Sequence, residues 1–308
     1  MSPGFLDPVP RSGGDVPIAP DPLFDPSVPH PARVYGYWLG GKDHYPADRE
    51  VAEEVIRCRP QVVMGARANR AFLARVVRYL AGECGVRQFL DIGTGLPAPD
   101  STHQVAQAIA PVGRVVYADN DPLVLVHARA LLTSGPQGSC DYVEADLRDT
   151  PAVLTGAVRT LDFTRPVAVL LLAVLHFLTD TDDPARVVAA LARRLAPGSF
   201  VVISHLTADF GPGPVAAGVE AYTSLVPTPL VPRSHAQVSA LFGGLPLVPA
   251  RRGPRHRMAA RERQPTPLCC GSVRGRRPQT GRPTMRPGHL EVVSVKTYRV
   301  RAKRRARQ

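Results

Sequence analysis

The stretch Gln88-Phe-Leu-Asp-Ile-Gly-Thr-Gly-Leu96 decides the fold. Apolar residues run into an acid, Asp91, and then Gly93 and Gly95 flank a single residue. That pattern predicts a buried strand ending in a tight glycine turn that opens a helix. Glycine has no Cβ and tolerates positive φ, so such a turn lets a ligand approach the backbone closely. In doubly wound α/β folds the ligand crevice lies outside the carboxyl ends of the strands. Asp91, Gly93 and Gly95 are therefore expected to line a cofactor pocket.

Upstream, Asp48 to Arg59 has a capping acid and an apolar face of Val51, Val55 and Ile56, and Pro60 stops it. Val62 to Ala81 carries a stripe of Phe72, Leu73, Val76, Val77 and Leu80. Arg67, Arg70, Arg75 and Arg78 then fall on a face expected to be solvated. Downstream, apolar runs of strand length alternate with helical segments. Strands are predicted at 88–92, 114–118, 141–144, 167–172 and 199–204, with helices at 103–109, 122–132, 150–159 and 184–195. This series implies an α/β, Rossmann-like fold, with a doubly wound, mostly parallel sheet and helices on both faces.

Polar residues recur at the predicted strand ends. Asp91, Asp119, Asp146 and His176 each stand there. Asp119, with Asn120 beside it, falls about one βα unit after the glycine turn, where a carboxylate accepts from ribose hydroxyls. Asp146 suits an adenine amino group, with Leu147 as an apolar wall. One such acid is ordinary helix capping, but three after successive strands point to a ligand. His176 borders the expected reacting centre and is the leading general-base candidate, with Asp43 and His205 behind it; the competing reading is a packed residue that caps the following helix. The stretch His30–Tyr45 combines four aromatics with Gly40-Gly41 and Lys42-Asp43. Its aromatics, Tyr35 among them, either form a lid or pack on the core. Gly93-Thr-Gly95-Leu-Pro-Ala98 fits the dinucleotide fingerprint, which would make the chain an NAD-dependent oxidoreductase. An acid beside a pyrophosphate argues against that reading; an acid beside a cationic ligand is favourable.

Asp91-x-Gly93-x-Gly95 resembles the first motif of class I S-adenosylmethionine methyltransferases. The chain as a whole is similar to a bacterial family of such enzymes, common in actinobacteria and long catalogued as a domain of unknown function. The residues that carry the resemblance are 32–43 (ARVYGYWLGGKD), 68–73 (ANRAFL), 89–97 (FLDIGTGLP), 115–122 (VVYADNDP), 145–148 (ADLR), 173–177 (AVLHF) and 196–199 with Ser204-His205. They span about residues 30–245. The resemblance implies S-adenosyl-L-methionine as cofactor, held at Asp91, Gly93, Gly95, Asp119 and Asp146. It also implies that the Lys42-Asp43 segment closes the pocket. Tyr35, Lys42, Asn120 and Leu147 are further cofactor-binding candidates, and Asp43 is a second catalytic candidate. The expected activity is methyl transfer to a small-molecule acceptor. A cofactor-binding protein without catalysis is the alternative. His44 and the 98–103 loop, with Asp100, depart from the family pattern.

Composition bounds the rest. The chain has 308 residues, 44% of them hydrophobic, with 33 prolines and 26 glycines. No apolar run reaches the roughly 20 residues of a membrane span. The N-terminus lacks the pattern of a secretory signal. Cysteines 58, 84, 140, 269 and 270 suit neither a zinc site nor a disulfide framework, so no metal and a reducing cytoplasm are expected. The net charge is +12, yet residues 251–308 hold 18 Lys+Arg against 2 Asp+Glu, leaving 20 against 24 for the rest. The body, at −4, is not expected to bind nucleic acid; the tail, at +16, could bind it non-specifically. Three regions follow: a disordered leader at 1–29, a methyltransferase domain at 30–250, and a basic, disordered tail at 251–308. The abrupt change near Arg251 also fits a shifted reading frame, in which case the C-terminal edge hairpin of the class I fold would be missing or disrupted.

Overall fold

The computed structural model describes residues 25–131, 133–245, 247–248 and 296–299. Among the described residues, seven strands form one sheet: β1 Gln88–Ile92, β2 Arg114–Asp119, β3 Ser139–Glu144, β4 Ala168–Leu172, β5 Phe200–Ser204, β6 Leu247–Val248 and β7 Lys296–Arg299. The helices are α1 Pro31–Trp38, α2 Pro46–Cys58, α3 Val62–Gly82, α4 Thr102–Ile109, α5 Pro122–Leu131, α6 Thr150–Ala157, α7 Pro184–Arg193, α8 Pro212–Thr223 and α9 His235–Ala240. The predicted strands and central helices agree with these to within about two residues. The strand order is β3-β2-β1-β4-β5-β7-β6. β1 to β5 are parallel, and β7 runs antiparallel to β5.

Side-chain alternation along the strands builds two cores. Leu90, Ile92, Val116, Val169, Leu171, Val201 and Ile203 face α6, α7 and α9. Phe89, Val115, Tyr117, Ala168, Leu170, Phe200 and Val202 face α3 and α4. β4 is buried along its whole length, as a central strand with helices on both faces must be. The same alternation places Asp91, two residues after Phe89, on the α3/α4 face. A third cluster, with Val34, Val51, Val55, Ala221 and Tyr222, joins α1, α2 and α8 into a layer of its own.

Two expectations change. The edge hairpin is present: Val201 of β5 pairs with Tyr298, and Tyr298 pairs with Leu247. Residues 292–300 alternate only weakly in the sequence and stand alone, nearly fifty residues from β6, but the open edge of β5 supplies the pairing partner. The shifted-frame and tail-disorder readings otherwise fall on residues outside those described, as does most of the leader. Asp48 does cap α2, but from the third helical position, as the acid of a capping box whose N-cap residue is Tyr45. It lies in the first turn of α2, fully buried, and accepts from the N–H groups of Tyr45 at 2.8 Å and His30 at 2.9 Å. It thereby ties α1 to α2.

Candidate functional site

The sheet order reverses between β1 and β4, which puts the crevice at their carboxyl ends. A cavity opens there, between the ends of β1–β4 and a roof made by α1, α3, α8 and Arg59 at the end of α2. The glycine turn forms its floor. Gly93 has φ +70, and a Cβ there would sit 2.4 Å from Val174 Cγ2. Gly95 has φ +65, but nothing lies within 4 Å of where its Cβ would be. The first glycine is thus required by packing, and the second leaves open space for a ligand.

Asp91 is buried and accepts from Thr102 Oγ1 at 2.6 Å. Burial pushes its carboxyl up to about 6, against the Thr102 bond and the Arg70 charge. Asp119 is also buried; Oδ2 accepts from Gly95 N at 2.9 Å and Oδ1 from Asp121 N at 3.0 Å. Burial raises its carboxyl as well. Asp146, more exposed, is held by Arg148 Nη1 at 3.0 Å and Asn120 Nδ2 at 3.2 Å. Leu147 lies beside it, buried in the cavity wall.

On the β4 side, Ala173 adopts φ 56, a strained value for a residue with a Cβ. Its N–H is pinned by Ser204 Oγ at 2.9 Å. Ser204 Oγ donates to Asn69 Oδ1 at 2.7 Å, and Asn69 Nδ2 donates to Tyr35 Oη at 3.1 Å. Tyr35 in turn donates to the Ala66 carbonyl at 3.0 Å. This relay holds the roof to the sheet and brings Tyr35 into the cavity. His176 lines the cavity beside His205, their rings 5.5 Å apart. Burial, then His205 and Arg233, holds His176 well below the usual imidazole range. His205 is lowered to about 4, chiefly by burial.

The structure gathers Tyr35, Asp91, Gly93, Gly95, Asp119, Asn120, Asp146, Leu147 and His176 around one cavity. It does not bring Lys42 and Asp43 there. Both are exposed, and Asp43 faces His127 Nε2 on α5 at 3.7 Å. The Gly41 N–H returns to the Gly36 carbonyl at 2.9 Å, which turns the following residues outward. Asp43 is therefore corrected as a base and Lys42 as a cofactor ligand. His205 is spent as well, because its Nε2 meets Arg233 Nη1 at 3.3 Å. Arg70, expected in solvent, lines the cavity near Asp91, with Nη2 on the Ala98 carbonyl at 3.2 Å. Arg59 and Tyr222 line it too. Nothing in their local sequence marks them, since only the packing of α2 on α8 brings them there. Trp38 satisfies both readings of its stretch: it packs in the roof and borders the cavity.

The fold is a class I methyltransferase architecture, with its cavity at the glycine turn. The comparisons with known proteins agree. The model of the S-adenosyl methyltransferase family matches residues 19–254, and the chain belongs to that family. A DUF574 family protein from Streptomyces avermitilis is 36% identical, with a TM-score of 0.76 over 90% of this chain and 99% of that one. A candidate methyltransferase from Thermobifida fusca is 34% identical, with a TM-score of 0.73 over 92% and 100%. A comparison with curated proteins finds no match. S-adenosylmethionine is the cofactor, and the dinucleotide reading falls. Among the described residues, no helix is long and apolar enough to cross a membrane.

Proposed function

We propose that this protein transfers the methyl group of S-adenosylmethionine to a small-molecule acceptor held in the β4 half of the cavity. One observation carries the reading. A single cavity runs from the carboxylates at the ends of β1–β3 to an aromatic wall of Phe177 and Tyr222 under a helical roof. When bound, S-adenosylmethionine supplies an electrophilic methyl group on a positive sulfonium.

The residues fit that group. Asp91 and Arg70 offer the opposite charges that an amino-acid tail requires. The open side of Gly95 allows close approach, and Asp119 keeps lone pairs for ribose hydroxyls. Leu147 is an apolar wall for adenine, with Asp146 and Asn120 at its edge. The roof serves to align the acceptor, and alignment is the main requirement of a displacement at carbon. Thermal unfolding and calorimetry with S-adenosylhomocysteine test the cofactor half: a bound ligand raises the melting temperature by mass action. Methyl transfer from radiolabelled cofactor to a panel of small aromatic acceptors tests the rest. Tight cofactor binding with no transfer to any acceptor would favour a non-catalytic binding protein.

A further inference from the structure

The main-chain N–H of Leu206 points at His176 Nδ1 across 3.4 Å. A main-chain N–H can only donate. Nδ1 therefore carries the lone pair, and the ring proton sits on Nε2. His176 Nε2 has no bond to any described residue, and the ring lines the cavity. His205 has the opposite tautomer. Its Nδ1 lies 2.7 Å from the Leu206 carbonyl and must donate to it. Its Nε2 lone pair then receives Arg233, which also binds Asp180 at 2.7 Å. One residue, Leu206, orients both rings, and neither ring offers a lone pair to the cavity. What His176 offers is a donor.

The neighbouring groups have the same character. The Phe177 ring lies 4.4 Å from His176 and 6.4 Å from Tyr222. The Tyr222 hydroxyl is buried with no hydrogen-bond partner among the described residues, and its ring lines the cavity. A buried hydroxyl in that state is an exception that a ligand atom would resolve. Arg59, permanently charged, lines the same end beneath Gly218 of α8. The cavity's three carboxylates, Asp91, Asp119 and Asp146, all belong to the β1–β3 half. The acceptor half thus combines aromatic walls, donors and a cation, with no carboxylate among its described residues.

We infer that the acceptor is a planar aromatic anion, a carboxylate or an acidic phenol, positioned by His176 Nε2–H and the Tyr222 hydroxyl and methylated on its anionic oxygen without a protein base. The inference rests on the methyl-transfer reading of this cavity. The acceptor enters already deprotonated. A lone pair on its oxygen forms the new C–O bond, the bond from methyl to sulfur breaks, and that electron pair stays on sulfur. No proton remains to be removed, and the two opposite charges are consumed together. The burial that keeps His176 neutral agrees with a donor role.

Two measurements on the full chain test it. Long-range ¹⁵N–¹H correlation spectra of histidine-labelled protein at neutral pH, assigned with His176→Gln, report the tautomer directly. Nε2–H is expected; Nδ1–H would overturn the inference. Calorimetry in saturating S-adenosylhomocysteine then compares 2-naphthoate and 4-nitrophenolate with 2-naphthylmethylamine. The anions should bind at least about tenfold tighter than the amine, the size of one charge-assisted hydrogen bond. His176→Phe and Tyr222→Phe should each weaken naphthoate about tenfold, while His176→Gln, which keeps an N–H, should weaken it by less than about threefold. Tyr222→Phe should leave the melting temperature of the ligand-free protein no lower. An amine that binds as tightly, absence of binding by both anions at millimolar concentration, or equal losses from Gln and Phe would each overturn the assignment. A fall in melting temperature for Tyr222→Phe would overturn it too, because the hydroxyl would then serve the fold. Failure of S-adenosylhomocysteine itself to bind would instead strike the methyl-transfer reading, since the tautomer is read without any ligand.

Discussion

Replacing Asp119 by Ala is the sharpest test of the cofactor half. The carboxylate has two tasks. It holds Gly95 N at 2.9 Å and Asp121 N at 3.0 Å, which shapes the glycine turn. A carboxylate offers about four lone-pair sites, so about two remain for ribose hydroxyls. A hydrogen bond to a charged group contributes about 1.5–3 kcal/mol. Losing one such bond lowers affinity roughly ten- to hundredfold, and losing both, with a loosened turn, lowers it further. Asp119→Asn keeps one acceptor oxygen for Gly95 and should fall between the parent and Asp119→Ala. Titration calorimetry with S-adenosylhomocysteine measures both variants. Circular dichroism confirms that each is folded. If folded Asp119→Ala binds the ligand within about twofold of the parent, a difference below one hydrogen bond, the ribose assignment is wrong.

Two further outcomes follow from the turn and from the buried acids. Gly93→Ala places a methyl 2.4 Å from Val174 Cγ2 at φ +70, whereas Gly95→Ala at φ +65 meets nothing within 4 Å. Gly93→Ala should lose about 2–5 kcal/mol from strain plus overpacking and be partly rescued by Val174→Ala, whereas Gly95→Ala should lose about 1–2 kcal/mol yet bind S-adenosylhomocysteine poorly. Normal binding by Gly95→Ala would refute close approach at that residue. For pH, Asp91 has its carboxyl raised from 3.8 to about 6, so in that window the folded state holds the extra proton and stability falls as pH rises. His205 is lowered from 6.5 to about 4, so there the unfolded state holds the extra proton and stability rises with pH. The two slopes oppose each other in the parent. Asp91→Asn should remove one of the two opposing acid slopes, leaving that of Asp119, and urea midpoints across that window should climb more steeply with pH than in the parent; a shallower climb would refute the buried-acid account.

Much of the fold was legible because β1, β4 and β5 are buried along their lengths, and burial on both faces writes an apolar run into the sequence. The roof was not. α1 has Gly36 in its middle and α8 contains Pro212, Pro214, Gly213 and Gly218, so propensity argues against both helices. They form because Val34, Val55, Ala221 and Tyr222 have each other to pack on, which is tertiary information. The strand-end acids were legible for a different reason: a parallel sheet sends every carboxyl end to one rim, so position along the chain is already position in space. Arg70 was misread because its charge suggested solvent, although its neighbour Asn69 is buried in the relay from Tyr35 to Ser204. The roles of His176 and His205 could not be read from side chains at all. They depend on which main-chain group of Leu206 each ring meets.

These elements share a single electrostatic arrangement. Asp91 and Asp119 are both buried, and both carboxyls are raised by that burial. Their charge is costly to the folded protein without a cationic partner. Arg70 offsets part of that cost at Asp91. The β1–β3 half therefore favours a ligand that brings positive charge, while the donors and Arg59 of the β4 half favour one that brings negative charge. A cavity with this polarity draws the two reactants to opposite ends and holds them in the order that displacement requires. The relay from Tyr35 through Asn69 to Ser204 fixes the roof over both ends at once. Loosening it by Asn69→Ala would thus act on cofactor and acceptor together, whereas a change at Asp119 or at Tyr222 acts on one.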